Sequence, residues 1–324
     1  MLFGGTCTAV RCSPRASLHS LSHSWHSRFR LRDAALSVAI PLLLSMVSSD
    51  VAWPRAMTHP SKHHGPRLAA LTPEPFLRGL ASKHPPSNPS AASCNPSKFR
   101  IAVDVGHTAE SEGAISARNI AEFVYNLHLA QRIVDKLKAA GFTETRLLVT
   151  EGKARPSLFK RVAAANALDA NLFLSVHHDS VPNSMLEQWD FNGKKSHFSD
   201  RFSGYSVYVS RGNPDFPTSL RFAELIAKEM KTEGLDYAKQ YTLPIMGRNQ
   251  HQLLDKETGV YRYDQLVVLR QTHMPAVLLE AGSISNREEE LAMGSPERQE
   301  SIASGVTQAV KEFCDPRWAI LGPM

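Results

Sequence analysis

Four side chains in this 324-residue sequence have the types and positions for metal-assisted chemistry: His107, Glu122, His177 and Glu280. Gly106-His107 follows a β-rich run, Ser175-Val176-His177-His178-Asp179 ends another, and Glu280-Ala281-Gly282 ends a third. Glu122 falls in the first turn of the helix expected after the first run. In open α/β sheets, ligands bind beyond the carboxyl ends of the strands. Two imidazoles and a carboxylate on that face form a donor set suited to Zn2+, which takes nitrogen and oxygen ligands tetrahedrally. Three protein ligands leave a fourth position for water, the arrangement of a catalytic rather than a closed structural site. Zinc brings the pKa of that water to about 7, so a neighbouring carboxylate can take its proton. Glu280 is the candidate for this base.

Each residue also has a plainer use. His107 can fill a loop after a strand. Asn119-x-x-Glu122 fits a capping box, and an acid in a first helical turn is favoured by the helix dipole in any case. Side-chain alternation lets only one of His177 and His178 face the site if the strand continues. Glu280 can be a surface acid. The coincidence of all four at strand ends is what favours a site.

The elements that must position them are legible from residue 98 onward. Phe99–Val105 (FRIAVDV) reads as a strand. Asn119–Ala140 carries Ile120, Phe123, Leu127, Val134 and Leu137 at helical spacing and stops at Gly141. Further strands are predicted at Thr145–Thr150, Asn171–Val176, Tyr205–Ser210 and Ala276–Glu280, and further helices at Ser157–Leu168, Thr218–Glu233 and Pro296–Phe313. This alternation predicts a single α/β domain, a mostly parallel twisted sheet with helices on both faces.

The net charge of +6 suggests an acidic partner until its distribution is examined. Residues 1–98 hold 11 Lys/Arg and 3 Asp/Glu, and residues 99–324 hold 26 and 28, so the predicted domain is slightly acidic. Nucleic-acid binding is therefore not expected. Arg28, Arg30 and Arg32 precede a fourteen-residue apolar run, Ala34–Val47. That run falls short of the roughly 20 residues of a membrane span. With small residues Val47 and Ser49 before a cut after Ser49, it has the layout of a secretory signal peptide. Residues 50–98 contain nine prolines and no sustained periodicity, as in a flexible linker. The expected organisation is a signal peptide at 1–49, a linker at 50–97, the domain at 98–316 and a short tail at 317–324. In such a layer, strand starts and helix ends share the edge opposite the active face. Cys94 and Cys314 could meet there as a disulfide in an oxidising compartment.

The domain resembles the zinc-dependent N-acetylmuramoyl-L-alanine amidases of the type 3 family, bacterial enzymes of peptidoglycan. Four ordered blocks carry the resemblance: Ile101–His107 (IAVDVGH); Glu122 with Asn126-Leu127 and Ala130; Arg161, Ala165-Asn166, Ala170 and Ser175-Val176-His177; and Ala276–Asn286 (AVLLEAGSISN). The resemblance implies His107, Glu122 and His177 as zinc ligands and Glu280 as the catalytic carboxylate. It implies hydrolysis of the amide between N-acetylmuramic acid and L-alanine in peptidoglycan, outside the cytoplasm. His178 occupies a position usually held by a small residue. Arg161 and Asn166 are expected to support the fold.

The sequence departs from the family pattern in three places. Gly106-His107-Thr108-Ala109 replaces Gly-His-Gly-Gly. Pro182–Phe202 looks inserted, and is either a surface for glycan or peptide or a solvated loop. Tyr237–Gln271, with Arg248 and His251, lies where some relatives carry a helix that blocks the zinc until an activator protein binds. It is short here, so weaker autoinhibition is expected. Two other readings compete: a catalytically silent peptidoglycan-binding or regulatory protein on the same fold, and a zinc peptidase for another wall bond. The ligand set with Glu280 speaks against the first, and the absence of His-Glu-x-x-His against the second.

Overall fold

The computed structural model describes residues 94–315. The expected signal peptide, most of the linker and the tail lie outside the described residues. A seven-stranded sheet has the order β2-β1-β3-β9-β6-β8-β7. Its strands are β1 (Ile101–Val105), β2 (Thr145–Leu148), β3 (Leu172–Asp179), β6 (Ser206–Val209), β7 (Gln252–Asp255), β8 (Val260–Arg262) and β9 (Ala276–Ser283). β1 pairs in parallel with β2 and β3, β3 with β9, and β6 with β8. The pairings β6–β9 and β7–β8 are antiparallel. The expected mostly parallel sheet is therefore present, with one reversal inside it and another at its edge.

Helices cover both faces. On one side α1 (Glu122–Ala139), α3 (Phe216–Thr232) and α6 (Pro296–Phe313) pack through Leu129, Ile133, Phe222, Ile226, Ile302 and Val306 onto Ile101, Val103, Leu174 and Val277. On the other, α2 (Ala154–Ala167) and α4 (Val267–Arg270) meet Ala102, Phe173 and Leu278. Burial on both faces explains why the central strands read as largely apolar runs. The expected boundaries shift by a turn or less. α1 begins at Glu122, with Ala121 as a cap that makes no side-chain bond, so Asn119 does not form the expected capping box. α6 begins where expected: Ser295 accepts from Arg298 N–H, and Pro296 needs no N–H at the first position.

Two segments for which the sequence predicts no elements are structured. Pro182–Phe202 is largely solvent-exposed, but it is not an irregular loop: it contains the hairpin of β4 (Glu187–Phe191) and β5 (Lys194–Phe198). Its turn is Asn192-Gly193, both at positive φ (54° and 73°), which is the strongest short-range hairpin signal. Trp189 stacks on Phe191, donates to the Ala117 carbonyl at 2.8 Å and lies under the Arg287 guanidinium. Tyr237–Gln271 forms 3-10 turns, β7, β8 and α4. The last small helix, α5 (Arg287–Gly294), is capped by Asn286. Cys94 and Cys314 are joined by a disulfide across 220 residues, with Cα atoms 4.9 Å apart, at the start of the domain and the end of α6. Among the described residues no helix is long and apolar enough to cross a membrane.

Candidate metal centre

β1, β3 and α1 bring three of the four expected residues together. One donor atom from each of His107, Glu122 and His177 lies within 4.8 Å of the others. His107 Nε2 is 3.0 Å from Glu122 Oε2, and His177 Nδ1 is 3.0 Å from Glu122 Oε1. His107 leaves β1 with φ 65°, a left-handed conformation uncommon for a side-chain-bearing residue. From that turn its ring reaches Glu122 on α1. The conformation is held from below. Arg161, fully buried on α2, donates to the His107 carbonyl and faces Asp104 at 3.6 Å, and Asp104 accepts from Ser175 Oγ at 2.8 Å. Burial pushes the Asp104 carboxyl up to about 6, against the lowering effects of Arg161 and Ser175. Arg161 thus supports the backbone at His107, and Asn166 ties α2 to the chain before β9 by accepting from His273 N–H at 2.9 Å.

Space at the cluster depends on two glycines. A Cβ on Gly106 would lie 2.5 Å from the His177 ring. Gly113 has φ +81°, and a Cβ there would lie 2.4 Å from Glu122 Oε2 and 2.7 Å from the His107 ring. The loop through Gly113 also presents the Ala114 N–H to Glu122 Oε2 at 3.0 Å. Burial pushes the Glu122 carboxyl up, but its contacts with the two imidazoles outweigh this and hold it well below the usual carboxylate range. Burial also lowers His177, keeping the ring neutral and able to bind a metal. One ionised carboxylate and two imidazoles, converging in a site cleared by two glycines, fit the N/O donor set of zinc.

Alternation along β3 separates the two histidines. His177 lies on the side of Ser175, while His178 is buried against α1, with its ring 5.6 Å from that of Tyr125. Glu280 is the register partner of His177 on neighbouring β9, so both occupy the same face. Its Oε2 is buried without a hydrogen-bond partner. Burial, together with the charges of Asp179 and Glu122, raises its carboxyl well above the usual range. Glu280 is therefore not a surface acid.

Beside Glu280 lies a pocket of about 240 Å³ lined by Asp179, Tyr208, Tyr241, Asn249, His251 and Tyr263, among others. Of these residues, Glu280, the Asp179 strand end and His251 are the ones the sequence pattern singles out. His251 stacks on Tyr263 with centroids 4.2 Å apart and meets Tyr208 edge-on at 5.2 Å. Tyr241 donates its hydroxyl to Asp179, whose carboxyl burial pushes up to about 7. The tyrosines carried no motif, and only their density between residues 205 and 263 hinted at a shared cluster. Arg248 is not among the lining residues.

Residues 101–312 match the sequence profile of the N-acetylmuramoyl-L-alanine amidase family, type 3. The chain belongs to this family. Among amidase relatives, it is 28% identical over 225 residues to the amidase AmiC of Neisseria meningitidis, covering 66% of this chain and 52% of that protein. It is 23% identical over 263 residues to the amidase AmiA of Escherichia coli, covering 76% and 88%. Among solved amidase structures, Ami1 of Mycobacterium smegmatis shares the fold at a TM-score of 0.52 and 18% identity, covering 68% of this chain and 99% of that one.

Proposed function

We propose that this protein hydrolyses the amide between N-acetylmuramic acid and L-alanine in peptidoglycan, using a zinc ion held by His107, Glu122 and His177. The observation that carries this reading is the convergence of three metal-type donors on the strand-end face that also holds the unpartnered Glu280 carboxyl, in a chain of the amidase family. Zinc held there would supply Lewis acidity at the scissile carbonyl. Glu280 accepts a proton from the attacking water and returns it to the leaving alanine nitrogen. A carboxyl raised by burial suits a group that must both take and give a proton near neutral pH. The aromatic pocket beside Glu280 seats substrate and excludes bulk water from the reacting bond.

The protein acts outside the cytoplasm, exported by its N-terminal segment, in remodelling, cell separation or lysis. The disulfide favours this location, since such bonds persist in oxidising compartments. The basic linker residues Arg55, Lys62, Arg67, Arg78 and Lys83, with Lys98, would hold the enzyme loosely near an anionic wall, and salt would weaken that contact. Autoinhibition is weak, because Tyr237–Gln271 contains no α-helix longer than the four residues of α4.

Mass spectrometry of products from purified sacculi tests the activity. Release of stem peptides with a free L-alanine amine is expected. Products in which L-alanine remains joined to muramic acid would overturn the assignment. The isolated domain should act without an added activator, and complete dependence on one would refute weak autoinhibition.

A further inference from the structure

Behind Glu122 lies a buried polar cluster to which the chemistry above assigns no role. Asn126, one turn along α1, is fully buried. Its amide nitrogen is 3.0 Å from Glu122 Oε1 and 3.1 Å from the Gly106 carbonyl oxygen. Both partners can only accept, so both hydrogens of the amide are committed. The Asn126 oxygen is then an acceptor, and it lies 2.8 Å from Nδ1 of His178. His178 therefore carries its hydrogen on Nδ1 and donates it. The backbone N–H of His178 also points to Glu122 Oε1, at 3.3 Å.

We propose that His178 is a positioning residue for the metal centre: its Nδ1–H fixes the Asn126 amide, which in turn holds the Glu122 carboxylate between the two imidazoles. The donations to Glu122 Oε1 and the Gly106 carbonyl already resist rotation of the amide, and the His178 donor adds a third contact against it; a flipped Asn126 would turn its oxygen toward the carboxylate. The two would then repel. Outer partners of metal ligands typically change affinity by about 10- to 100-fold when removed. The inference rests on the metal-centre reading above.

The test measures the zinc dissociation constant of the full chain by competition with a chromophoric chelator. The variants are His178→Leu, which fills the space without a donor, and His178→Asn, which keeps an N–H donor near the place of Nδ1. His178→Leu should bind zinc about tenfold or more weakly, and His178→Asn should recover most of the loss. Equal affinity of wild type and a folded His178→Leu would overturn the proposal while leaving the metal centre intact. Failure of the wild type to bind zinc would instead overturn the metal-centre reading. If His178→Leu does not fold, nitrogen-15 spectra of the wild-type histidines decide. An Nδ1–H tautomer for His178 supports the proposal, and an Nε2–H tautomer refutes it.

Discussion

The two halves of the sheet serve the site by different physical means. β1, β3 and β9 place His107, His177 and Glu280 just after or near their C-terminal ends, and each is hydrogen-bonded to at least one parallel neighbour that fixes its register. β6, β8, β7 and the turns before them bring no metal-type ligand to the cluster; they contribute rings, with Tyr208 touching Tyr241, His251, Tyr261 and Tyr263. Metal ligation needs donor atoms placed within tenths of an ångström, which central strands buried on both faces can supply. A pocket wall needs volume and polarity, which packed aromatic rings can supply from short strands and turns.

If this division holds, the largest effects come from the ligand half. Chelation, or His177→Ala, should reduce release of stem peptides from sacculi to background, and added zinc should restore activity only to the chelated wild type. Glu280→Ala should lower kcat by about 10²- to 10⁴-fold with zinc content unchanged; an undiminished rate would remove Glu280 from the chemistry. The disulfide should matter for stability alone. Cys94→Ser is expected to cost about 2–5 kcal/mol of unfolding free energy, read from denaturant titration, with zinc affinity unchanged.

The aromatic half should respond more gently and in a different parameter. Tyr263→Ala removes one wall of the pocket and should raise KM about tenfold, equivalent to about 1.4 kcal/mol, with zinc affinity intact. A loss of zinc instead would show that the two halves are not separable. The smallest effect is expected at the hairpin. Trp189→Ala removes a stacked pair and one hydrogen bond, and should lower stability by about 1–2 kcal/mol with little change in turnover. A large loss of turnover would make the hairpin part of the substrate surface.

Legibility followed the same division. Ile101–Val105, Leu172–Val176 and Ala276–Leu279 stand out because strands covered on both faces are largely apolar, Asp104 and Ser175 excepted, and the polar residues that follow them mark the site. Glu122 was visible as an acid in a first turn, yet its neighbours suggested a cap. The distinction lay in a contact with His177, 55 residues away in sequence, which no local pattern encodes. The β4–β5 hairpin was legible in Asn192-Gly193, but the charged residues around it resembled a surface loop. β7 and β8 are short, and partner contacts rather than strong local periodicity define them.

The sequence by itself determined the α/β layering, the mostly parallel sheet and the four residues at strand and helix ends, because hydrophobic periodicity and strand-end polarity are local properties. Only the tertiary structure decided that His107 turns back on a left-handed residue above Arg161, that Gly106 and Gly113 clear the space around Glu122, and that His178 and Asn126 stand behind its carboxylate. It also decided that Tyr208, Tyr241, His251 and Tyr263 share one pocket with Glu280. These are contacts between residues far apart in the chain, and their free energy arises only when the sheet brings the segments together.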